Sequence, residues 1–186
     1  MKGDGTMLHV FTAYAELDGP RLMAIYAESN RENTDCFFPD MTDKNLAVKK
    51  VEEGFLQFLR DDFFAGPGPA YYVLEGAGAW VSALRMNELE PGFYYLEALE
   101  TRPDRRRQGD AARLLREVAE YLKTKGPFRI CDCVDKENEP SVRTHLACGF
   151  RIVSQTGHDY LRGTDDPYDY GFEYRYDGRE GDHDQS

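Results

Sequence analysis

The chain has 186 residues, 41% of them hydrophobic and 31% charged, with 34 acids against 23 bases and a formal net charge of −11. That length suits one domain, which can bury roughly 70% of its unfolded surface without a metal or disulfide staple. The negative field argues against nucleic acid and anionic membranes as general partners and favours a cationic one such as an amine. No apolar run approaches the roughly 18 residues of a membrane span. The polar, glycine-rich start has no signal-peptide core, so a cytoplasmic setting is expected.

In chain order, Leu8 to Ala13 reads as a strand. Asp18 can cap a helix to about Ser29, with Pro20 in its first turn and Leu22, Ile25 and Tyr26 on one face. Arg31 to Asp40 is polar and reads as a loop. A second helix begins near Thr42-Asp43, with Val48, Val51, Phe55, Phe58 and Leu59 at helical spacing, and Gly66-Pro67-Gly68-Pro69 ends it. Three strand-like runs come next, Ala70 to Glu75, Ala79 to Met86 and Phe93 to Thr101. Their Gly and Pro turns predict an antiparallel meander. A helix, a strand at Phe128 to Val134, a helix over Pro140 to Cys148, a strand at Phe150 to Gln155 and a final strand at Tyr168 to Tyr176 complete the order. The acidic residues 178–186 are expected to fray. Strands first and strand–helix–strand units later predict an α+β sandwich around one mixed sheet.

The four cysteines show no CxxC or zinc spacing, so no metal site is expected, and all four read as small buried thiols. Cys131 and Cys133 flank Asp132 in a strand-like run and are expected on opposite faces.

The informative segment is LEALETRPDRRRQGDAARLLREVAEYL, Leu96 to Leu122. Leu114, Leu115, Val118 and Leu122 make one apolar stripe, and Gly126-Pro127 ends the helix. Arg102, Arg105, Arg106, Arg107 and Arg113 crowd its N-terminus, where the helix dipole disfavours cations. An anion reverses that balance, because free N–H groups at a helix start cradle phosphate and arginines neutralise it. Gly109 removes a side chain where a pyrophosphate would press closest.

Arg106-Arg107-Gln108-Gly109-Asp110-Ala111 resembles the Q/R-x-x-G-x-G/A signature of the GNAT acetyltransferases. About thirty residues on, Asn138 to Phe150 resembles the second GNAT signature, an Asn opening a short helix that closes on Gly-Phe and a strand. Together the two cover about Tyr94 to Ser154. The resemblance implies a single domain over 1–177, with a mostly antiparallel mixed sheet of six to seven strands, about four helices and a splay between strands four and five. It implies acetyl-CoA as co-substrate: the amides of Arg107, Gln108, Gly109, Asp110, Ala111 and Ala112, with the Arg106 side, would bind pyrophosphate. The strand edge at Leu99, Glu100 and Thr101 would pair with the pantetheine arm, and Asn138 would hydrogen-bond that arm. Where many relatives have a proton-donating tyrosine, this chain has His145, whose ordinary pKa near 6.5 suits the same task. That departure keeps open a non-catalytic acyl-CoA-binding module, and the basic turn alone would also suit a nucleotide phosphate.

An alkylamine has a pKa near 10 and must lose a proton before it attacks. Glu97 is the candidate base, because period two places Tyr95, Glu97, Leu99 and Thr101 on one strand face and turns Glu100 the other way. Substrate choice is expected from Arg31 to Asp40, from the first two helices, and from His158 to Tyr170. The last segment sets Asp159, Asp165, Asp166 and Asp169 beside Tyr160, Tyr168 and Tyr170, a mixture able to hold a cation. Monomer and homodimer both remain open.

Overall fold

The computed structural model describes residues 5–178. The expected frayed tail lies outside the described residues from 179 onward.

Strand β1 (Thr6–Phe11) leads to Asp18, whose carboxylate accepts from the Arg21 N–H at 3.0 Å and starts helix α1 (Gly19–Ile25). This helix stops at Tyr26, and α2 (Ala27–Phe37) takes over. The loop expected over Arg31 to Asp40 is therefore mostly helix. Its apolar periodicity is invisible because the inward positions, Asn30 and Thr34, are polar and buried one turn apart. Helix α3 (Lys44–Phe58) is capped by Asp43, which accepts from the N–H groups of Asn45 and Leu46 at 3.1 Å. A π turn, Leu59–Phe63, closes it.

The meander forms as expected from β2 (Pro69–Gly76), β3 (Ala79–Glu90) and β4 (Phe93–Thr101), with β1 antiparallel to β2. Its β3–β4 turn requires Gly92, at φ +75°: a Cβ there would lie 2.8 Å from the Pro127 carbonyl oxygen. The chain continues through helix α4 (Asp110–Lys123), β5 (Phe128–Asp135), α5 (Glu139–Ala147) and β6 (Arg151–Ser154). A small hairpin, β7 (Gly157–Asp159) and β8 (Thr164–Asp166), precedes β9 (Asp169–Tyr176). The seven-stranded sheet runs β1-β2-β3-β4-β5-β9-β6, antiparallel except where β4 meets β5.

Each sheet face has its own core. On one, the α4 stripe of Leu114, Leu115, Val118 and Leu122 packs on Tyr72, Leu84, Leu96 and Ile130. On the other, Leu22, Ile25, Leu59 and Phe63 cover Tyr71, Val73 and Ala83. Each fully buried side chain of this kind contributes roughly 1.5–3 kcal/mol. Cys131 and Cys133 both pack with Phe93 and Tyr95, on one face rather than two, because residues two apart in a strand share a side. Cys36 is exposed, not buried.

Besides an extra residue of β3, Leu89, opposite its start, strand β4 departs from regular pairing in two places. Arg85 lies opposite Glu97 and Ala83 opposite Glu100, so Ala98 and Leu99 together oppose Leu84. Ala98 sits at φ +55°, the extra residue of a β-bulge. Alternation is thereby reset: Glu97 and Glu100 share the face of Arg85 and Ala83, while Leu99 joins the α4 core. Thr101 turns to Ser82 on the α4 side, their hydroxyls 3.1 Å apart. The expected common face for Glu97, Leu99 and Thr101 thus fails beyond Glu97. The second departure is a gap: β4 pairs with β5 only over Phe93–Tyr95 against Arg129–Cys131, and the two strands then part.

Candidate functional site

Helix α4 starts without a capping side chain, whereas Asp18, Asp43 and Asn138 cap α1, α3 and α5. Its first helical bond runs from the Arg113 N–H to the Gly109 carbonyl at 2.9 Å, so the N–H groups of Asp110, Ala111 and Ala112 have no partner within the helix. Gly109 is left-handed at φ +83°, and a Cβ there would meet nothing within 4 Å. Arg107 is also left-handed, at φ +60°. The open space over uncapped amides is the geometry an anionic group requires.

The arginines are less idle than their crowding suggests. Arg102 is held by Asp104, and Arg105 reaches the buried Asp110 carboxylate at 3.0 Å. Arg106 bridges Glu28 of α2 and Glu100 of β4, the latter at 3.0 Å. Arg107 pairs with no carboxylate among the described residues, which leaves its guanidinium for a ligand. Gln108 donates to the Asp104 carbonyl at 3.2 Å.

Leu99, Glu100 and Thr101 lie on the stretch of β4 that β5 has left, beside the start of α4. Asn138 heads α5 and accepts from the Ser141 N–H at 3.2 Å, so its NH2 group is the end available to a ligand.

His145 is sealed in the core, at 1% exposure, with ring centroids 5.1 Å from Phe150 and 5.4 Å from Phe172. Its Nδ1 is 2.8 Å from the Ser141 carbonyl and its Nε2 is 2.8 Å from Asp132 Oδ2. Burial opposes the imidazolium, but Asp132 and the Ser141 carbonyl outweigh it and hold His145 above its ordinary pKa. Burial pushes the Asp132 carboxyl up, with His145 pulling it down. Asp132 carries no motif in the sequence beyond its place between two cysteines, and only the fold brings it to His145. An acid in an apolar strand was the signal.

Glu97 lies between Arg85 at 3.3 Å and Arg162 at 3.7 Å. Arg162 comes from the β7–β8 hairpin, where Asp159 also holds it. The acidic, aromatic segment binds mainly its own neighbours: Asp165 meets His158 at 2.7 Å, Lys136 lies over Tyr170, and Tyr160 packs edge-on to Phe93 and Tyr95.

Glu100 is placed differently. A cavity of about 620 Å³ opens between α2, α3 and the β3–β4 face, and Glu100 and Ala98 form part of its wall. Tyr26 fixes the bulge there by donating to the Ala98 carbonyl at 2.8 Å while accepting from the Tyr71 hydroxyl at 2.7 Å. Burial pushes the Glu100 carboxyl up to about 7, the charge of Glu32 adding to the shift and the Thr101 N–H opposing it. A carboxyl half-ionised near neutral pH at a cavity wall can accept a proton from a ligand. Sequence periodicity turns Glu100 away from Glu97, because nothing in Ala98 announces a bulge.

The model of the acetyltransferase (GNAT) family matches residues 22–150. No curated protein sequence matches the chain. Among solved structures, the fold is similar to the ribosomal-protein-S18-alanine N-acetyltransferase from Escherichia coli, at 16% identity and TM-score 0.60, covering 95% of this chain and 98% of that one. It is also similar to the PaiA N-acetyltransferase from Thermoplasma acidophilum in complex with coenzyme A, at 14% identity and TM-score 0.59, covering 91% and 99%. A third likeness is to a mutant of the spermidine N-acetyltransferase from Vibrio cholerae, at 17% identity and TM-score 0.56, covering 91% and 93%. At these identities the likeness is one of fold alone.

Proposed function

Since the chain belongs to the acetyltransferase (GNAT) family, we propose that it transfers the acetyl group of acetyl-CoA to a primary amine by direct attack. The observation that carries this reading is the uncapped start of α4, opened by Gly109, standing beside the gap between β4 and β5. The amides of residues 107–112 and the Arg107 guanidinium would hold the pyrophosphate. The freed edge at Leu99, Glu100 and Thr101 and the Asn138 NH2 group would hold the pantetheine arm.

Acetyl-CoA supplies an activated acyl thioester. Glu100 would take one proton from the incoming ammonium group and free the nitrogen lone pair; as the N–C bond forms and the C–S bond breaks, the second proton that the nitrogen sheds would pass to the departing thiolate, which leaves as coenzyme A. A positioned base of this kind contributes typically 10²–10⁴-fold. Glu97 is the other carboxylate on this face, but two arginines, Arg85 and Arg162, flank it, against the one, Arg106, that meets Glu100. His145 and Asp132 form a sealed pair behind the gap, and their task is to position α5 on β5 rather than to reach the thiolate. The sealed histidine favours a second reading, a non-catalytic acyl-CoA-binding module, whereas Glu100 at the cavity wall favours catalysis. The cofactor contacts, the fate of the amine and a cytoplasmic setting are all part of this reading.

Calorimetric titration with acetyl-CoA, with ATP as control, tests it. Selective binding of acetyl-CoA and subsequent acetylation of an amine are expected. Equal binding of ATP would replace this reading with a general nucleotide-phosphate site, and binding without any amine acetylation would leave the sensing module.

A further inference from the structure

The cavity wall is apolar out of proportion to its charge. Tyr26 of the α1–α2 bend, Phe37 and Phe38 at the end of α2, and Val51, Phe55 and Phe58 of α3 face it. Three charged side chains join them: Glu100, Arg85 and Lys50. Arg85 is spent on Glu97, and its guanidinium lies 5.1 Å from the centre of the Phe58 ring. Lys50 is exposed and pairs with no carboxylate among the described residues. Glu100 is also met by Arg106 at 3.0 Å, so of these three charges Lys50 alone has no carboxylate partner among the described residues.

Gly54 is the second observation. It sits inside α3, ordinary in conformation, and lines the same cavity. A Cβ there would meet nothing within 4 Å. Glycine in a helix interior is costly, and a turn or a close approach is the common reason for it. No turn and no close approach exist at Gly54. Gly54 is exposed, and its missing side chain leaves that part of the cavity lining open.

We propose that this cavity receives a primary amine carried on an apolar body of aromatic size, with no second positive charge. The inference rests on the transferase reading for the fate of the amine, but not for its binding. A single ammonium group meets Glu100, while the body lies among Phe55, Phe58 and Tyr26, where burial of an aromatic ring is favourable. A polyamine would bring further ammonium groups to a wall whose one charge without a carboxylate partner, Lys50, is itself a cation, and unpaired like charges in a half-buried cavity are unfavourable. The cavity lies within the common range for small-molecule sites.

The test uses the intact chain with coenzyme A present, titrated calorimetrically with 2-phenylethylamine and with spermidine, and the same amines offered with acetyl-CoA in a turnover assay. 2-Phenylethylamine is expected to bind, and to be used, about tenfold better than spermidine, the range in which one apolar contact discriminates. Gly54→Phe fills the cavity from a helix position that tolerates it, so its thermal midpoint and acetyl-CoA affinity should match those of the wild type. Its affinity for 2-phenylethylamine should fall about tenfold or more. Spermidine binding equally or better, absence of binding by either amine, or a Gly54→Phe variant that binds 2-phenylethylamine unchanged would each overturn the proposal. Amine binding without acetylation would instead remove the transferase reading and leave the cavity assignment standing.

Discussion

Replacing Glu100 by Gln should slow the enzyme and stabilise the fold in the same stroke. The folded chain holds this carboxyl at about 7 instead of 4.5, because burial disfavours its charge. In the unfolded chain the group loses its proton near the ordinary value. The native state is therefore unpenalised below that value, loses stability as pH rises from 4.5 to about 7, and carries the full cost above. At 1.36 kcal/mol per pH unit the cost at pH 8 is about 3 kcal/mol. The side chain is 24% exposed, so solvent screening reduces this to about 1–2 kcal/mol, and its surface contact with Arg106 offsets less than about 1 kcal/mol. Glutamine keeps the shape without the charge. Its thermal midpoint should exceed that of the wild type by a few degrees at pH 8 and equal it near pH 4. Over the same range kcat/KM should fall by about 10²–10⁴ and lose the acidic limb centred near pH 7. Calorimetric melts and pH–rate profiles on both proteins give the two readings. A variant that keeps its limb and loses less than about threefold in rate, or that melts lower at pH 8, would refute the reasoning.

The neighbouring geometry fixes three more outcomes. Glu97→Gln should retain the acidic limb but melt lower, because Arg85 would lose its partner in a largely buried site; disappearance of the limb would return the base to Glu97. Gly109→Val should abolish acetyl-CoA binding by calorimetry, its side chain occupying the open space over the amides, with about 1–3 kcal/mol of strain from φ +83°; retained binding would sink the phosphate cradle. The share of stability that His145 supplies as an imidazolium is full below pH 6.5 and is lost as pH rises through its raised value. Hence the wild type should lead His145→Gln most in thermal midpoint near pH 6, with the lead shrinking toward pH 9, and a pH-independent difference would mean that His145 is neutral in the fold.

Much of this architecture is legible in the residues. The meander, the α4 stripe and the glycine-opened turn declare themselves through periods of two and 3.6 and through Gly and Pro punctuation. What escapes is carried by residues that break those rules quietly. Helix α2 turns Asn30 and Thr34 inward, so an apolar pattern has nothing to detect. The β7–β8 hairpin is two three-residue strands of mostly polar side chains, too short for alternation to register. Arg106 looks unbalanced in sequence partly because one of its two acids, Glu28, arrives from the distant helix α2. Asp132 and His145 are 13 positions apart and meet only when α5 folds over β5.

The bulge at Ala98 behaves like a reading-frame shift in the pattern of side chains. Upstream of it, odd-numbered residues of β4 face the cavity side; downstream, even-numbered ones do. A regular strand running through Ala98 with no bulge would turn Leu99 and Glu100 about, carrying the carboxylate from the cavity wall into the apolar layer under α4, whereas removing Ala98 would leave both on the faces they hold. The cavity face of β4 is thus encoded partly by the one extra residue that the bulge absorbs.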